Sequence, residues 1–72
     1  MEFDFGQLYR RITEKFKIWR AFEVRCELSL AELCARLNNE VPFSIDEIVR
    51  ICDALDIHGR EIGKYFFTPK VR

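Results

Sequence analysis

Two short signatures constrain this chain more than anything else in it: Ser29-Leu30-Ala31-Glu32 and Ser44-Ile45-Asp46-Glu47. Each is a capping box, in which a serine hydroxyl accepts from the backbone N–H three residues on while the glutamate there reaches back to the serine N–H. They fix two helix starts, at Leu30 and Ile45. Apolar spacing supplies the rest. Phe5, Leu8, Ile12 and Phe16 recur at helical offsets and predict a first helix from an Asp4 N-cap through Phe16. A second runs from Trp19 to Cys26, with Phe22 and Cys26 one turn apart, and Glu27-Leu28 makes the turn. The third begins at Leu30, sets Leu33 and Leu37 inward beside Leu28, and stops near Asn38-Asn39. The fourth presents Ile45, Ile48, Cys52 and Leu55 as its inner stripe. Asp56-Ile57-His58-Gly59 breaks the pattern, and Arg60 to Phe67 forms a last short helix that gives Ile62, Tyr65, Phe66 and Phe67 to the core, one of the three consecutive aromatics facing partly outward. Pro69 ends it, leaving Lys70-Val71-Arg72 as a tail expected to be mobile or used in contacts. The fold class expected is all-α, five short helices in one domain over residues 1–72, with a helix-turn-helix at about 19–37.

Composition bounds what such a bundle can do. With 72 residues and 49% apolar content there is material for one small core, although a chain this short hides only about 60% of the surface it exposes when unfolded. Twelve basic and twelve acidic residues cancel, so no global field draws the protein toward phosphate or anionic lipid. No apolar run reaches the roughly 18 residues a membrane helix needs, and Met1-Glu2-Phe3-Asp4 does not begin a signal peptide; the expected location is the cytoplasm. Cys26, Cys34 and Cys52 cannot pair completely, and none sits at a ligand spacing from His58, the one histidine. Reduced thiols and no metal are expected. No phosphate-cradling glycine loop, HExxH or nucleophile–base motif is present, so neither catalytic residues nor a cofactor is assigned, and the chain is not expected to be an enzyme.

The stretches "FDFGQLYRRITEKF", "LNNEVPFSIDEIVRICDALDI" and "EIGKYFFTPKV" resemble the small helix-turn-helix regulators of the lambda-repressor and Cro-like superfamily, particularly the compact early lytic regulators of temperate phages of Gram-positive bacteria. Nearly the whole chain is covered. Within that group the size and pattern are similar to antirepressors of the modulator-of-repression type, which act by binding the phage's own repressor. The resemblance implies a lambda-repressor-like DNA-binding domain, yet the chain departs from the family's pattern at three places. Where helix two commonly begins with Gln, carries Ala at its fifth position and ends in a turn with Gly, this chain has Trp19, Glu23 and Glu27. Glu27 can take a left-handed conformation at about 1 kcal/mol, while Glu23 is expected to lean outward.

Base readout needs Arg or Lys for guanine and Asn or Gln for adenine. The outward positions of helix three hold Leu30, Ala31, Cys34 and Ala35 instead. Around them Arg20, Arg25 and Arg36 are balanced by Glu23, Glu27 and Glu32, which predicts feeble DNA binding with a shallow salt slope. Trp19 either covers the core beside Phe22 or joins Leu30, Ala31 and Cys34 in an exposed apolar patch of the kind that marks a protein interface. The expectation, drawn jointly from the resemblance and these substitutions, is a phage antirepressor that docks on the helix-turn-helix domain of its cognate repressor and blocks operator binding, favouring the lytic side of the lysis–lysogeny switch. Its partner-binding residues would be Trp19, Arg20, Glu23, Glu27, Leu30, Ala31 and Cys34. The alternative is a Cro-like repressor that binds operator DNA directly, with Arg20, Arg36, Asn38 and Asn39 on the backbone.

Overall fold

In the computed structural model, which describes residues 2–71, the chain forms five helices: α1 (Gly6–Lys15), α2 (Trp19–Cys26), α3 (Leu30–Leu37), α4 (Ile45–Leu55) and α5 (Ile62–Phe66), the last entered through a 3₁₀ turn, Gly59–Glu61. No strand occurs among the described residues, and the fold is all-α as expected. Arg72 of the expected tail lies outside the described residues. Of that tail Lys70 is fastened, its N donating to Glu2 O at 3.1 Å, next to an isolated antiparallel bridge between Phe3 and Pro69 and the bond from Asp4 N to Thr68 O at 2.8 Å, while Val71 is 90% exposed.

Both capping boxes are present. Ser29 Oγ accepts from Glu32 N at 3.1 Å and Glu32 Oε1 from Ser29 N at 2.9 Å; the Ser44–Glu47 pair repeats these distances. The core they orient is built from Leu8 and Ile12 of α1, Phe22 and Cys26 of α2, Leu33 of α3, Ile51 and Leu55 of α4, and Phe66 of α5, all essentially free of solvent contact. Phe16 closes one end by standing edge-on to Phe22, ring centres 5.2 Å apart.

Arginines join the helices by capping foreign C-termini, where the last carbonyls have no partner within their own helix and the macrodipole favours a cation. Arg11 of α1 donates twice to Leu55 O at the end of α4, at 3.0 and 2.7 Å. Arg50 of α4 donates to Cys26 O at the end of α2, at 2.9 Å.

Three local expectations are corrected. Asp4 is not the N-cap of α1: helix formation starts at Gly6 with Phe5 at the cap, and Asp4 Oδ1 instead accepts from Gly6 N at 2.8 Å. The C-terminal segment holds residues 3 and 4 extended, so the helix cannot begin until they are passed. At its other end α1 stops at Lys15, with Phe16 already extended. In α4 the inner face is rotated: Ile45 is 79% exposed, while Glu47, Ile51, Ala54 and Leu55 are buried and Ile48 and Cys52 half-buried. Two stripes satisfy the helical period here, and the one observed buries Ile51 and Ala54 while Arg36 of α3 pairs with Glu47. In the last helix Tyr65 and Phe66 are buried and Phe67 is the outward aromatic, half exposed.

Candidate functional site

The connection from α2 to α3 is made by Glu27, Leu28 and Ser29. Glu27 ends α2 in the left-handed region, φ 57° and ψ 37°, where its Cβ crowds the following carbonyl. Leu28 turns into the core, 4% exposed, and Ser29 opens α3. The expectation that Glu23 leans outward is corrected: it is half-buried, and its Oε2 accepts from Leu30 N at 2.8 Å. A carboxylate of one helix thus caps the first N–H of the next. With Glu32 closing the box from inside α3, two carboxylates occupy the positive end of that helix, and the N–H groups of Leu30 and Glu32 already have acceptors. Those groups are what a helix start offers to a phosphate.

Leu30 (41% exposed), Ala31 and Cys34 all face solvent from α3, as the sequence suggested. Trp19 does part of each role expected of it. It is half-buried, edge-on to Phe22 with centres 6.4 Å apart, and its other side meets Tyr9 of α1 at 5.9 Å, a ring that is 51% exposed. Beside these, Phe5, Gly6, Tyr9, Cys34, Leu37 and Asn38 line a shallow groove between α1 and α3. Tyr9 and the groove were missed from sequence. The available signal was a large aromatic lying off the apolar stripe of α1.

Space redistributes the charges of this segment. Arg25 Nη2 donates to Asp53 of α4 at 2.8 Å. Arg36 makes a two-pronged pair with Glu47 of α4, Nε to Oε1 at 2.7 Å and Nη2 to Oε2 at 3.0 Å, and its Nη1 donates to Glu32 O at 2.9 Å. The hydrogen bond from Arg36, more than anything else around it, holds the Glu47 carboxyl below its ordinary range; the Ser29 N–H does the same for Glu32. Both stay ionised at neutral pH. Two of the three arginines between residues 19 and 37 are therefore neutralised by carboxylates from α4. What remains on the α2–α3 surface is Glu23, Glu27 and Glu32 against Arg20, which is exposed and has no ion-pair partner among the described residues. A segment neutral by composition presents an acidic face.

The residues proposed for backbone contacts with DNA separate into two pairs. Arg20 and Asn38 are exposed with their side chains unengaged among the described residues. Arg36 is committed to Glu47. Asn39, at φ 63°, accepts from Phe3 N at 2.9 Å and donates to Phe3 O at 3.0 Å, fastening the start of the chain to the end of α3. These two are structural links, and neither is placed to reach a phosphate.

All three cysteines are free thiols: Cys26 in the core, Cys52 half-buried, Cys34 on the surface. Burial pushes the Cys26 thiol up to about 11. His58 is exposed and opens the 3₁₀ turn. No described helix is long and apolar enough to cross a membrane. A family model described as "Protein of unknown function (DUF739)" matches residues 1–69. No curated protein matches the chain.

Proposed function

We propose, for a chain that belongs to the DUF739 family, that it is a non-catalytic regulator of the lambda-repressor-like class, working in the bacterial cytoplasm as a phage antirepressor. Its α2–α3 unit docks on the helix-turn-helix domain of the cognate repressor and keeps that repressor off its operators, which favours the lytic outcome. The observation that carries this reading is the acidic rim of Glu23, Glu27 and Glu32 around outward Leu30, Ala31 and Cys34. An apolar centre with a carboxylate edge complements a polypeptide that is basic at its own edge, and a DNA-binding surface is one. The same carboxylates repel a phosphate backbone, and the Leu30 and Glu32 N–H groups at the start of α3 already have acceptors.

Direct operator binding in the manner of Cro is the competing reading, and it draws on Arg20 and Asn38 alone. Only Arg20 of the two is cationic, and one charge releases too few counterions for firm attachment, while the outward residues Leu30, Ala31 and Cys34 bring no strong donor or acceptor to a base edge.

The test is co-purification of the protein with the repressor encoded in the same phage genome. The wild-type protein retains the repressor, and Trp19→Ala or Leu30→Glu loses it while the helical circular dichroism stays unchanged. Failure of the wild-type protein to retain it, or binding indifferent to both substitutions, contradicts the reading.

A further inference from the structure

Resting on that docking reading, we infer that the partner is anchored by one bulky apolar side chain inserted in the groove between α1 and α3, with its cationic residues toward the start of α3, over Glu23, Glu27 and Glu32. The groove has a volume of about 340 Å³ and is walled by Phe5, Tyr9, Cys34 and Leu37. Its geometry is held from outside. Tyr9 is backed by Trp19, which is itself braced on Phe22, so this wall stands before any partner arrives. The third outward position of α3 is a cysteine, Cys34, whose small side chain leaves the groove open where a larger one would fill it.

The groove is lined from the second half of α3 by Cys34, Leu37 and the following Asn38, and the acidic rim lies toward the start of that helix, where Glu23 and Glu32 cap it. Leu30 to Leu37 spans about 10 Å at 1.5 Å per residue, and the exposed Leu30, Ala31 and Cys34 run from the capped start toward the groove. This polarity selects the occupant. A nucleic acid would bring phosphates against three carboxylates. A second copy, docked face to face by the same elements, would bring three carboxylates against three. A basic protein segment with a large apolar residue within about two helical turns of its positive charges satisfies both features, the apolar residue serving as the buried anchor and the charges setting orientation.

Cys34 supplies the probe. It is the exposed one of the three thiols, whereas Cys26 and Cys52 are shielded and their thiols are raised by burial, so iodoacetamide marks the groove first. The titrant is the purified helix-turn-helix domain of the repressor from the same phage genome. At saturation it slows Cys34 alkylation by roughly tenfold or more, and Cys34→Phe, which fills the groove and leaves every carboxylate in place, weakens binding by a similar factor with an unchanged melting temperature. If Cys34→Phe binds as wild type and Cys34 in the complex reacts at its free rate, while Glu27→Lys abolishes binding, the anchor is wrong and the docking reading survives. If the wild-type protein does not bind the domain at all, both fall.

Discussion

Glu27 combines a backbone cost with a charge to which the proposed docking gives a role. Its left-handed conformation is one that glycine reaches without a Cβ clash, so Glu27→Gly is expected to stabilise the fold by about 0.5 kcal/mol, after the added freedom of glycine in the unfolded chain offsets part of the relief. For a domain of this size that raises the melting temperature by about 2–4 °C. The same substitution removes a carboxylate from the rim and, on the proposed docking, is expected to weaken repressor binding. Thermal unfolding and a binding titration on one variant, moving in opposite senses, check the claim that the residue is kept for its charge. Arg36 and Glu47 carry the reverse lesson, since side chains that are 14% and 11% exposed serve structure. Glu47→Gln leaves the guanidinium of Arg36 half-buried without its counter-charge and costs about 2–3 kcal/mol. The pH dependence follows from sign: the folded-state carboxyl lies below its ordinary value of 4.5, so the unfolded chain takes up the proton first. Stability from this pair is fully present above about pH 4.5 and is lost as pH falls through the lowered folded value. Melting curves between pH 7 and pH 3 should show that loss in the wild type and a shallower one in Glu47→Gln.

At the scale of elements, what was legible had a local cause. The two capping boxes placed α3 and α4 to the residue, because serine and glutamate at that spacing satisfy each other with no help from the rest of the fold. The stripe of α1 and the pair Phe22 and Cys26 were also readable, since only one helical phase buried them. In α4 two phases did. Ile45, Ile48, Cys52 and Leu55 compete with Ile48, Ile51 and Leu55, and the phase observed is the one that buries Ile51 and Ala54 while Arg36 of α3 pairs with Glu47, contacts that spacing alone does not reveal. The register has a direct check. Ile45→Gln, at a position 79% exposed, should change stability by less than about 0.5 kcal/mol. Ile51→Ala, at 0% exposed, should cost about 2–4 kcal/mol. Equal effects would return α4 to the stripe read from sequence. The start of α1 was misplaced for a similar reason: the C-terminal segment that fixes Phe3 and Asp4 is distant in the chain and near in space.

For the whole molecule, the charge sum was the least informative number and its distribution the most. Zero net charge hides an α2–α3 surface made acidic by two carboxylates donated from α4, Asp53 and Glu47, each taking an arginine out of play. Sequence could count three arginines against three glutamates but could not say which were already paired, nor that Tyr9 and Trp19 meet across α1 and α2 to wall a groove. The apolar outward side of α3 was readable, because a face that lacks polar residues lacks them in any fold. If the proposed docking holds, complementarity of charge at the rim makes it sensitive to ionic strength, and repressor affinity should fall several-fold between 50 and 500 mM salt, roughly as expected for a few screened pairs. The central claim, that this helix pair engages a polypeptide and not a nucleotide edge, is tested most directly by the fluorescence anisotropy of labelled operator DNA. Addition of the protein to DNA alone is predicted to leave the anisotropy unchanged, and addition to the repressor–operator complex to lower it to the value of free DNA. Tight, sequence-specific and steeply salt-dependent binding of the operator by the protein alone would contradict the account.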